Sequence, residues 1–175
     1  CETPGNLEEL SLSDNQIALA LALQKTGKPV ILVLNEGRPR LIRKIKPGSE
    51  AIVHTYLPGN FGGDALADVL TGDVNPSGKL PITFYKDDSQ LPDFLDYTMK
   101  NRTYRYFSGE SLWAFGHGLS YSTFEISSPR YDKKKGVLTV TVENTGKRDG
   151  DEVVQVYLRR PDDAEGPVKT LRAFK

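Results

Sequence analysis

Cysteine is almost missing: Cys1 is the single one in 175 residues, so no intrachain disulfide can form. Histidine is scarce too. His54, His117 and one terminal cysteine do not make a zinc site of the usual kind. No apolar run approaches the ~20 residues that cross a bilayer. Neither charge is in excess, since Lys plus Arg and Asp plus Glu number 23 each. No net field draws the chain to nucleic acid or to an anionic membrane. The basic run Lys133-Lys134-Lys135 stops at Gly136 and reads as a solvated hairpin tip. No initiating methionine or signal peptide is present, and both ends look cut, so a piece of a longer protein is expected. Two catalytic motifs are also lacking. There is no Gly-x-Ser-x-Gly elbow. Gly72 to Lys79 is no phosphate loop: five residues separate its glycines where the template has four, and Leu80 follows the lysine.

What is present begins as α/β. Ser13-Asp-Asn-Gln16 has capping-box spacing and opens a helix to about Lys25. Ile17, Ala20, Leu21 and Leu23 bury one side, while Ala18, Leu19 and Ala22 make it apolar nearly all round, as in a helix packed between layers. Gly27 stops it, just before Pro29. Val30 to Leu34 is a continuous apolar run, which suits a parallel strand covered on both faces. The loop Asn35-Glu-Gly-Arg-Pro39 follows at its carboxyl end, where open α/β sheets bind ligands. Asn35, Glu36 and Arg38 therefore either line a site or form a solvated turn. A short helix is expected over Leu41 to Ile45, and a second buried strand over Ala51 to Leu57.

The central stretch runs from Tyr56 to Pro81. Pro58-Gly59 breaks the strand, Gly62 and Gly63 loosen the backbone, and Asp64 is placed to cap or start a helix carrying Leu66, Val69 and Leu70. Gly72 ends it, Asn75-Pro-Ser-Gly78 turns, and Leu80 to Phe84 resumes as strand. From Lys86 to Ser120 periodicity is lost among Pro, Asp, Tyr and Arg. That texture fits an ordered connector better than a nucleic-acid stacking surface. From Phe124 the period becomes two. Val137 to Val142 and Val153 to Leu158 alternate, with a turn at Asn144-Thr-Gly146. Only three or four such strands fit, against the seven of a complete sandwich. Asn101-Arg-Thr103 fits a glycosylation triplet, with meaning only in a eukaryotic secretory setting.

Carboxylates on loops are Glu2, Glu36, Asp64, Asp73 and Glu110. Two carboxylates suffice to hydrolyse a glycosidic bond, one as acid and one as nucleophile or base. Asp64 and Asp73 each sit beside a glycine, where capping or an Asx turn accounts for them. Glu2 lies in a loop bounded by Pro4 and Gly5, with no helix to explain it.

Gly59-Asn-Phe-Gly-Gly-Asp-Ala-Leu-Ala-Asp-Val-Leu-Thr-Gly-Asp-Val-Asn-Pro-Ser-Gly-Lys-Leu-Pro81 resembles the signature of family 3 glycoside hydrolases, the β-glucosidase and β-xylosidase group. Thr26 to Leu34, Asn101 to Phe107 and Phe115 to Tyr121 also match that family, and the segment from Phe124 is similar to its fibronectin type III-like domain. The resemblance implies an α/β sandwich domain, of which residues 1–85 are the C-terminal part. A wrapping connector over 86–120 and an incomplete, all-β fibronectin type III-like domain over 121–175 follow. It further implies a retaining enzyme whose aspartate nucleophile lies on a barrel outside this chain. The general acid/base is a loop glutamate. Glu2-Thr-Pro-Gly-Asn6 resembles one form of that glutamate's motif, with Asn6 where the family has an acid. Glu2 is thus the implied acid/base. The implied substrate is an oligosaccharide or aryl glycoside, the implied partner is the enzyme's own barrel, and the implied location is periplasmic or extracellular. The rival reading is a non-catalytic carbohydrate-binding or interaction module.

Overall fold

The computed structural model describes residues 10–175. Helix α1 spans Asp14–Gln24 and starts as its sequence dictates. The Ser13 side chain accepts from the Gln16 amide, and the Gln16 side chain accepts from the Ser13 amide. Strand β1, Ile31–Leu34, pairs in parallel with β2, Ala51–His54, Leu34 standing opposite His54. Ala20, Leu34, Ile42 and Ile45 form the buried centre between helix and strands, edged by Ile17, Leu21, Leu32 and Ile52.

The expected two-sided cover is not complete among the described residues. Ile31 and Val33 of β1 are exposed, as are Leu19 and Leu23 of α1. The apolar circumference of α1 is therefore half used. The short helix expected over Leu41 to Ile45 is not there. Leu41 instead makes a parallel bridge with Ser11, and a 3₁₀ turn, Lys46–Gly48, follows. Pairing with Ser11 holds Leu41 extended, and Pro47 lacks the amide that a helix interior needs. Strand β2 stops at His54 rather than Leu57, because Tyr56 adopts φ +54° and leaves the strand.

Helix α2, Gly62–Thr71, begins two residues before Asp64, which sits in its first turn without acting as N-cap. It ends at Gly72 in the left-handed conformation, as expected. The strand expected from Leu80 to Phe84 is reduced to a ladder of isolated contacts. The Leu80 amide donates to the His117 carbonyl at 2.8 Å, and the Phe84 amide to the Trp113 carbonyl at 2.9 Å. Pro81 removes a donor one residue after its start. A 3₁₀ turn, Asp88–Gln90, and one short helix, α3 at Thr103–Tyr106, punctuate the connector.

Two antiparallel hairpins close the chain. β3, Phe124–Asp132, pairs with β4, Val137–Asn144, around the Lys133–Gly136 tip. A bulge at Ser127–Arg130 absorbs Pro129, where a proline costs the ladder least. β5, Gln155–Leu158, pairs with β6, Thr170–Phe174.

Candidate functional site at the carboxyl edge of the parallel strands

Both parallel strands point their carboxyl ends at one place. Glu36 follows β1, and His54 ends β2 with Tyr56 two residues on. Sequence reasoning named Asn35, Glu36 and Arg38. The structure leaves Asn35 exposed, buries Glu36 and half-buries Arg38. It adds His54 and Tyr56, which the same strand-end rule, applied to β2, would have found.

Glu36 is 7% exposed and bound through Oε2 to Arg40 Nε at 2.6 Å. Its Oε1 is buried with no hydrogen-bond partner among the described residues. The same holds for both ring nitrogens of His54 and for the Tyr56 hydroxyl. Four orphaned polar atoms in one neighbourhood are unusual, because each costs about 1–3 kcal/mol when left dry. Burial pushes the His54 imidazole below its ordinary value, while the Glu36 carboxylate and the Arg38 backbone pull the other way. Burial likewise raises the Tyr56 phenol. The set can offer a neutral imidazole, a phenol and a carboxylate oxygen to a hydroxyl-bearing group.

An aromatic ladder supports it from beneath. His54 meets Tyr56 at 4.0 Å and the edge of Phe84 at 5.3 Å. Phe84, 1% exposed, meets Trp113 at 5.6 Å, and Trp113 stacks on His117 at 6.4 Å. Lys46 caps the Trp113 ring at 5.2 Å. Burial lowers the His117 imidazole, and Lys79 and Lys46 lower it further.

Two of the other loop carboxylates have structural partners. Asp73 Oδ2 accepts from the Thr71 hydroxyl at 2.6 Å. Glu110 is exposed and paired with Lys86 at 2.6 Å, and that lysine's hydrogen bond holds its carboxyl below the usual range. Glu2 lies outside the described residues. The first described residues are nevertheless tied to this edge. The Leu41 amide donates to the Leu10 carbonyl at 3.0 Å, and Arg40 Nη1 reaches the Ser11 carbonyl at 3.5 Å.

No helix among the described residues is long and apolar enough to cross a membrane. No cluster of His, Cys, Asp and Glu among them could hold a metal ion.

Known proteins supply the family. The glycosyl hydrolase family 3 C-terminal domain matches residues 3–121. A xylan 1,4-β-xylosidase of Xylanibacter ruminicola is 44% identical over 98% of this chain and 20% of its own length. A periplasmic β-glucosidase of Salmonella typhimurium is 40% identical over 95% of this chain and 24% of its own. Among solved structures, β-glucosidase 3B of Thermotoga neapolitana superposes with a TM-score of 0.83 at 36% identity, over 95% of this chain and 26% of that one. The chain thus spans about a fifth to a quarter of the relatives it matches. A specific sequence match over most of the chain and a shared fold at well over 25% identity agree: the chain belongs to glycosyl hydrolase family 3, its residues 3–121 matching the C-terminal domain.

Proposed function

We propose that this chain is part of a retaining β-glycosidase acting on terminal, non-reducing β-linked sugars, and that Glu2 is its general acid/base. β-Glucosidase is the first choice of activity and β-xylosidase the second; relatives bear both names. The nucleophile is expected on a barrel outside the chain. Residues 1–85 form the C-terminal part of a sandwich domain, 86–120 a connector and 121–175 the start of a fibronectin type III-like domain. A periplasmic or extracellular location follows the Salmonella relative's name.

The observation that carries the assignment is the tether at Leu10 and Ser11. Both are pinned at the carboxyl edge beside the Glu36–Arg40 pair. Glu2 stands eight positions earlier. At about 3.3 Å per residue it has a reach of about 26 Å, enough to present its carboxyl over that edge. A retaining mechanism then asks it to come within ~5–5.5 Å of the nucleophile when sugar is bound. It protonates the leaving oxygen, and later takes a proton from the water that releases the sugar. Two carboxylates carry this chemistry, so no cofactor is invoked.

In the complete enzyme, Glu2→Ala is expected to slow hydrolysis of substrates with poor leaving groups by about 10²–10⁴-fold. Azide should restore turnover of activated aryl glycosides. Unchanged kinetics with both substrate types would remove Glu2 from the mechanism.

A further inference from the structure

We propose that the connector holds a second, non-catalytic binding site for one pyranose unit of a neutral sugar. A cleft of about 360 Å³ opens there, lined by Gln90, Asp96, Lys100, Asn101, Phe107 and Ser108 among others. That volume lies in the range of small-ligand sites.

Its walls are built, although they contain almost no regular structure. Asp93 Oδ1 accepts from the Leu95 amide and Asp96 Oδ1 from the Thr98 amide, both at 2.8 Å. Arg102 then ties the loop from outside, donating to the carbonyls of Asp93, Asp96 and Thr98. On the opposite wall Gln90 is fixed at both ends. Its Oε1 accepts from the Lys86 amide at 2.8 Å, and its Nε2 donates to the Glu110 carbonyl at 3.0 Å. Phe107 stands edge-on to Tyr85 at 5.0 Å. A Cβ at position 109 would lie 2.6 Å from the Phe107 ring, so glycine there lets backbone and ring approach.

Within this frame, polar groups are left over. The Lys100 ammonium, the Asn101 amide and the Ser108 hydroxyl make no hydrogen bond among the described residues. They supply donors and acceptors at the mouth of the cleft. The Asp96 carboxylate is held below its usual range first by its hydrogen bonds from Thr98, with Arg102 and Lys100 adding their charges. A carboxylate in the lining repels a phosphate or a polyanion, whereas a neutral ring of hydroxyls can donate to it and accept from the ammonium. Phe107 gives an apolar wall for the C–H side of that ring. The loop that brings Asp96 into the cleft also exposes Phe94 and Tyr97, at 68% and 85%.

The ligand class rests on the glycosidase reading; the site itself rests on the cleft. D-Xylose and D-glucose are the probes, because neither is hydrolysed. Hydrogen exchange of the intact polypeptide is followed over residues 88–109 with each sugar up to about 100 mM, the weak-binding regime of single sugars. Exchange is expected to slow there. Lys100→Ala with Ser108→Ala, both at exposed positions, should weaken that protection at least tenfold. No slowing at any concentration, or equal slowing in the variant, overturns the site. Failure of the glycosidase reading shows separately, as no hydrolysis of aryl β-glycosides by the wild type.

Discussion

At the scale of the residue, His54 is the most informative side chain described. It is half-buried between Glu36, Tyr56 and Phe84, and burial outweighs the pull of the carboxylate. Its folded pKa lies below the ordinary 6.5, so above about pH 6.5 it is neutral in both states and its contribution is fully present. As pH falls below that, the unfolded chain takes up the proton first. Stability is lost until the folded pKa is passed. The urea midpoint should therefore drop between pH 7 and pH 5, and drop less in His54→Gln, which keeps a polar neutral group. His117 shifts in the same direction and leaves a residual slope. An equal slope in the His54→Gln variant would show that His54 is not responsible.

At the scale of the element, the turn after α2 fastens the first half of the chain to the last. Asn75 Nδ2 donates to the Asp149 carbonyl at 2.9 Å, and its Oδ1 accepts from the Ser120 hydroxyl and the Tyr121 amide at 2.8 and 2.7 Å. The Tyr121 hydroxyl returns to the Val69 carbonyl at 2.7 Å. Nearby, Lys79 pairs with Glu152 at 2.9 Å, and Gln155 donates to the Gly116 carbonyl at 3.0 Å. These bonds fix where β3 to β6 stand against α2. Asn75→Ala removes three of them and should cost about 1–3 kcal/mol in chemical denaturation. Amide exchange at residues 119–122 and 148–150 should speed up, while the capping box of α1 keeps its protection. Uniform acceleration along the chain would argue against a local fastening.

At the scale of the whole molecule, apolar surface is left over. Leu19, Leu23, Ile31 and Val33 lie open on the α1/β1 side, and Ile126, Tyr131, Val142 and Phe174 on the hairpins. Strand β1 pairs along one side only, with β2, among the described residues. A chain spanning about a fifth to a quarter of its relatives' length is consistent with these faces meeting further polypeptide. Expressed by itself, the 175-residue chain should bind an apolar fluorescent dye such as ANS strongly. Replacing Ile31 and Val33 with threonine should lower that signal. A chain that stays dark would mean that these faces close on one another in solution.

Much of this was legible in the residues. The capping box at Ser13 to Gln16, the stop at Gly72, the basic hairpin tip and the alternating strands depend on neighbours a few positions apart, so sequence alone determined them. The family signature from Gly59 to Pro81 is local in the same sense. Two other expectations failed, one to a distant partner and one to a local backbone turn. Ser11 drew Leu41 into a bridge where a helix was expected, and the left-handed Tyr56 ended β2 early. The cluster of Glu36, His54 and Tyr56 joins positions up to twenty apart, brought together by the parallel register of β1 and β2. Burial, orphaned polar atoms and a lowered imidazole are properties of that meeting. Only the tertiary structure decided them, because no side chain is desolvated until its neighbours in space are in place.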